Sequence, residues 1–182
     1  VTGLFQGSAT FGPGETNQTV LVSAGGEDIF VAKYNRDGSL QWAKRAGGTA
    51  GSPNERGLGV AVDGSGNSYV TGMFQGSATF GPGEVNQTIL VSSGVEDIFV
   101  AKFNPNGSLA WAKRAGGTGN DSGQAIAIDG AGNSYVSGFF QGSATFGPGE
   151  ANETTLTSVG SQNIFVAKYD PSGSLLFAKR AG

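Results

Sequence analysis

The stretch Phe-Gln-Gly-Ser-Ala-Thr-Phe-Gly-Pro-Gly-Glu occupies residues 74–84, and it stands again, unchanged, at residues 5–15 and 140–150. Each copy is followed by Asn-x-Thr, an apolar run, Ile-Phe-Val-Ala-Lys and then Ala-Lys-Arg-Ala-Gly. Val1, Val70 and Val136 hold one place in the unit, so the period is 69 and then 66 residues. Near-identical units in tandem at this spacing indicate a repeat architecture. The difference in period falls in one connection, where residues 49–57 (Thr-Ala-Gly-Ser-Pro-Asn-Glu-Arg-Gly) face residues 118–123 (Thr-Gly-Asn-Asp-Ser-Gly). Its Pro, Asn, Ser and Gly predict a surface loop, where a change of length costs little.

The middle copy shows four strand candidates. Residues 59–62 are small and β-branched and end in Asp63-Gly-Ser-Gly-Asn67, which is turn chemistry throughout. Residues 68–74 and 97–103 follow, the latter reading Asp-Ile-Phe-Val-Ala-Lys-Phe. Asn104-Pro-Asn-Gly-Ser108 then turns the chain into residues 109–115. Between the second and third candidates, residues 75–96 hold two weaker ones, 77–80 and 87–92, on either side of Gly81-Pro-Gly-Glu84. We expect these to form an extra hairpin or a β-rich loop outside the four-stranded core. No window has apolar residues at helical spacing, and Gly interrupts each one, so helix should be close to nil. In Ile98-Phe-Val-Ala101 both faces of the strand are apolar, which predicts a sheet covered on both sides.

The expected fold is therefore all-β: tandem four-stranded antiparallel blades in a β-propeller or propeller-like array, incomplete as a single chain. The repeats divide at residues 1–69, 70–135 and 136–182. The first lacks its first strand, the third is truncated, and the first strands of the following blades fall at about 58–63 and 124–129. The turn and strand residues at 123–129 (Gly-Gln-Ala-Ile-Ala-Ile-Asp), 132–138 (Gly-Asn-Ser-Tyr-Val-Ser-Gly) and 163–174 (Asn-Ile-Phe-Val-Ala-Lys-Tyr-Asp-Pro-Ser-Gly-Ser) resemble the bacterial β-propeller repeat called SBBP. The resemblance runs over essentially the whole chain. It implies a secreted or surface-exposed protein, extracellular or on the cell surface, and it supplies no common catalytic residues. The long excursion at 75–96 departs from the minimal repeat.

Fewer than three complete blades cannot close a ring, since propellers use four to eight. Open ends leave unpaired strand edges and uncovered apolar faces. The expected partners are further repeats of a longer chain or copies of the protein itself, in a closed oligomer or, if head-to-tail contacts do not close, a filament. The absence of an initiator Met agrees with a segment of something longer or with removal of a leader. Near-identity of the copies favours a self-associating scaffold in which each interface is the same interface. The alternative is an arc of a larger propeller that binds a glycan or a protein.

Composition narrows the chemistry. The chain has 182 residues, 33 of them Gly, with no Cys and no His, so no Ser-His-Asp triad, Cys-His pair or thiolate metal site can be built within it. The net charge of −3 is spread along the repeats and leaves no basic footprint for nucleic acid. No apolar run approaches a membrane span. We expect no enzyme activity, no cofactor, no catalytic residue and no metal. Asn17, Asn86 and Asn152 open Asn-x-Thr sequons at one place in every unit and are candidate glycosylation sites; Asn106 and Asn120 also fit the pattern. The Asp63–Asn67 and Asp129–Asn133 strings have one acid each and read as tight hairpin turns, not calcium loops. Glu27-Asp28 and Glu96-Asp97 read as solvated turn acids, with no acid cluster in the chain. Lys44-Arg45, Lys113-Arg114 and Lys179-Arg180 lie in the expected outermost strand, where one of each pair would meet a Glu of a neighbouring unit. Phe30, Trp42, Phe99, Trp111, Phe165 and Phe177 are the expected inter-blade packing residues.

Overall fold

A computed structural model describes residues 1–48 and 54–182. Most of the expected loop insertion at 49–57 therefore lies outside the described residues, and Glu55 already begins a strand. Among the described residues there are fifteen strands and no helix, so none is long and apolar enough to cross a membrane.

The strands form three antiparallel sheets stacked as blades. The middle blade orders β4 (Glu55–Val62), β5 (Ser68–Phe74), β8 (Asp97–Phe103) and β9 (Leu109–Gly117). The third blade repeats that order in β10 (Ser122–Ile128), β11 (Ser134–Phe140), β14 (Asn163–Tyr169) and β15 (Leu175–Ala181). The first blade has β1 (Thr2–Phe11), β2 (Thr19–Tyr34) and β3 (Leu40–Gly47). Among the described residues it includes no counterpart of β4 or β10, and β1 lies at the edge of its sheet. The turns are closed as their residues require: Asp63 Oδ1 accepts from the Ser65 and Asn67 amides at 2.9 and 3.0 Å.

The excursion forms a hairpin outside its own unit's four strands, as expected, and the structure adds which edge it extends. β6 (Ser77–Phe80) and β7 (Thr88–Val91) join the sheet of the preceding blade, where β6 pairs with β3, Ala46 opposite Phe80 and Gly47 opposite Thr79. β12 (Ser143–Phe146) and β13 (Thr154–Thr157) join β9 in the same way. The sheets thus hold five, six and four strands. Backbone amides at the outer edge of β3 and β9 would otherwise be unpaired, and the next unit's hairpin satisfies them. The Lys-Arg strand is consequently not the outermost one in the first two blades. In the first unit, residues 8–22 instead continue β1 and β2, with a register shift around Gly7.

The core lies between blades. Ile29 and Val31 share one buried cluster with Val70, Ala78, Phe80 and Phe99; Ile98 and Val100 share the next with Val136, Ala144, Phe146 and Phe165. Phe80 and Phe146 are closed off, whereas Phe11, their equal in sequence, stays half-buried against Phe30. We expect Phe146→Ala to cost about 3–5 kcal/mol and Phe11→Ala under half of that, measured by urea denaturation. Equal losses would mean that residues 8–22 are packed as the other hairpins are.

Candidate interaction site: the blade junction

Each junction is assembled from the same positions. In the motif, Gly81 takes a left-handed conformation (φ 60°) and sits against Leu109, where any side chain would collide. That turn carries Glu84 to the Leu109 amide, which donates to Glu84 Oε2. Glu84 Oε1 meanwhile meets Lys44 Nζ of the preceding blade at 2.8 Å. Glu150 repeats both contacts, to the Leu175 amide and to Lys113 Nζ at 2.7 Å. A single carboxylate therefore clamps its own turn and the previous sheet. In the first two Lys-Arg pairs the Lys is the one that meets a neighbouring unit. The Arg turns inward instead: Arg45 pairs with Asp28 and Arg114 with Asp97, at 2.8 and 2.7 Å.

A second device is aromatic. Trp42 Nε1 donates to the Pro105 carbonyl at 2.9 Å and Trp111 Nε1 to the Pro171 carbonyl at 3.1 Å. Gly107 and Gly173 leave room for these indoles, since a methyl there would lie 2.7 Å from the ring. Lys33 Nζ reaches the Gly66 carbonyl across the first junction at 2.8 Å. Of the expected inter-blade residues, Phe99 and Phe165 lie in the junction cores, Trp42 packs beside Phe103, and Trp111 meets Tyr69 edge-on. Phe30 and Phe177 face the two ends of the stack and are half-buried. The sequon residues Asn17, Asn86 and Asn152 each donate Nδ2 to a Leu carbonyl (Leu40, Leu109 and Leu175), so their periodicity has a structural cause.

The strand-entry acids differ from the expectation. Asp28 and Asp97 are not solvated: both are fully buried. Their side chains turn back to accept from the Ala24 and Ser93 amides and from the Arg guanidinium, which is what makes burial tolerable. Each also faces a second buried carboxylate from the next blade, Glu55 and Asp121 respectively, so two acid pairs exist where none was expected. A methyl on Gly116 would lie within 2.9 Å of both Asp97 and Asp121, so only glycine fits between them. Burial raises Asp121 to about 6, against the Gln141 and Gly117 amides that donate to it, and Asp97 adds repulsion. Burial likewise raises Asp97, with Arg114 opposing. This feature is invisible to local pattern, because the partners come from different units. The repeated Gly-Gly after Ala-Lys-Arg-Ala was its one available sign.

Comparison with known proteins agrees with this architecture. Residues 110–138, which span nearly all of β9, the whole of β10 and most of β11, match the family model described as SBBP, beta-propeller repeat. An uncharacterized WD repeat-containing protein of Acanthamoeba polyphaga mimivirus is 29% identical over 171 residues, covering 83% of this chain. The chain spans 12% of the length of that curated relative. The described residues thus form three stacked antiparallel sheets, and the stretch at the second junction, residues 110–138, is similar to the beta-propeller repeat.

Proposed function

We propose that the protein is a non-catalytic repeat scaffold, working outside the cell as the family resemblance implies, whose copies join end to end. One observation carries this reading. The two internal junctions are built from the same residues, and the two ends of the stack display their complementary halves. At one end Ile164 is 56% and Val166 39% exposed, where Ile98 and Val100 of the middle blade are 0% and 1%. At the other end Val1 is 63% exposed, where Val70 is 0%. Covering such aliphatic side chains contributes roughly 1.5–3 kcal/mol each.

Sedimentation velocity over a micromolar range, with electron microscopy of the same samples, tests the reading. The expected result is assembly that grows with concentration. Ile164→Asp should leave melting unchanged and hold the protein as a monomer, because Ile164 contributes little to the single copy. A wild-type chain that stays monomeric throughout overturns the proposal.

A second reading has its own support. Among the described residues β1 pairs with β2 alone, whereas β5 and β11 each pair on both sides. That free inner edge favours an arc of a larger propeller, with a glycan or protein as its ligand.

A further inference from the structure

The end-to-end contact has a residue signature of its own. At both internal junctions the facing pair is Trp and Pro: Trp42 with the Asn104-Pro105-Asn106-Gly107 turn, and Trp111 with Asp170-Pro171-Ser172-Gly173. The outward-facing turn of the first blade reads Asn35-Arg36-Asp37-Gly38 instead, and the outward-facing strand of the third blade carries Phe177 in place of Trp. Both halves of the pair thus differ at the ends, and nowhere else. Gly38 is exposed, and a methyl on it would meet nothing within 4 Å, while Gly107 and Gly173 lie buried under their indoles. The space an aromatic ring fills inside the chain is open there. The clamp residues are unchanged at the ends: Glu15 already clamps the Leu40 amide as Glu84 clamps Leu109, and Lys179 is exposed at the place of Lys44 and Lys113, although Asn163 stands where Asp28 and Asp97 do.

Resting on the self-association reading, we infer that a second copy docks head to tail, its first blade on the third blade of its neighbour, with Glu15 paired to Lys179 and the Arg36 guanidinium over the Phe177 ring. Ala181 of one copy then stands opposite Phe11 of the next, as Ala46 does opposite Phe80 and Ala115 opposite Phe146. Phe has no N–H to give the facing turn, so the indole hydrogen bond of the internal junctions is lost, and a cation on the ring face takes its place. The contact between copies is thereby weaker than those within a copy and more sensitive to salt, since both its polar contacts involve full charges at a solvent-accessible rim. Joints within a copy are permanent, and the joint between copies is the reversible one.

A double-mutant cycle on the association constant tests this. Arg36 lies in the first blade and Phe177 in the third, with the middle blade between them, so coupling between them in assembly arises through contact between copies. Arg36→Pro places Pro where the turns of the other two units have it and should fold. Phe177→Leu keeps an apolar side chain. Each is expected to weaken association roughly three- to tenfold, and the double variant no more than the worse single. In a parallel arm, Lys179→Glu should abolish association at micromolar concentration and Lys179→Arg should preserve it. Association that is intact in wild type but additive across the cycle, or indifferent to Lys179→Glu, overturns this geometry and leaves self-association standing. A monomeric wild type overturns both.

Discussion

Alanine at Gly117 is expected to lower stability by about 3 kcal/mol or more, read as a drop of roughly 6–12 °C in Tm. The methyl would lie 1.7 Å from the Ser143 carbonyl oxygen. Its obstacle is backbone, which cannot swing aside as a side-chain end can. Gly117 stands opposite Ala144 in the register that binds the hairpin β12–β13 to β9, so relief requires the hairpin to leave the preceding sheet. That would also pull Glu150 from Lys113 and uncover Phe146. Gly48 meets the Ser77 carbonyl at 1.9 Å in the same way. Gly130 supplies the control: it lies in open space and not in the left-handed region, so Gly130→Ala should change stability by under about 0.5 kcal/mol. If Gly117→Ala melts as Gly130→Ala does, the hairpin is not held by close backbone approach.

The second large effect is on pH dependence. Asp121 in the folded protein titrates near 6, above its unfolded value of 3.8. A carboxyl whose folded pKa is raised binds more protons folded than unfolded between those values. Its contribution to stability is therefore fully present below the unfolded pKa and is lost as pH rises through 6. The protein should be more stable at pH 5 than at pH 7.5, by about 1.4 kcal/mol from this group. Asp97 keeps the negative charge of the pair because Arg114 is bound to it, while Asp121 has only amides. Asp129, held down to about 2 by the Asn133 side chain and amide, works in the opposite sense, but only when pH falls below the ordinary carboxylate range. Asp121→Asn should remove the difference between pH 5 and 7.5, whatever it does to absolute stability. A wild-type slope that persists in this variant would assign the titration elsewhere.

These two predictions rest on contacts between units, and that is also where reading the chain residue by residue stopped short. The strand and turn assignments within a unit depend on neighbours two to five residues away. Asp63 closing on Ser65 and Asn67, Gly81 turning left-handed, and the apolar run Ile98–Ala101 are all of this kind. The expected Lys-to-Glu contact between units was legible too, because opposite charges recur once per repeat at a fixed separation. The burial of Asp28 and Asp97 was not, since an acid at a strand entry looks solvated until a second sheet is laid over it. Nor was the destination of residues 75–96: a hairpin that satisfies its own ladder says nothing about which edge it will extend.

Ile98 and Ile164 put the division most simply. By itself the sequence determined that they hold equivalent places in corresponding short strands of successive repeats, because alternation and turn residues act over a few ångströms and recur in each copy. Only the tertiary structure decided that one is fully buried and the other more than half exposed. Burial depends on whether a further blade stands against the face, and that is a property of position in the stack rather than of the residues themselves.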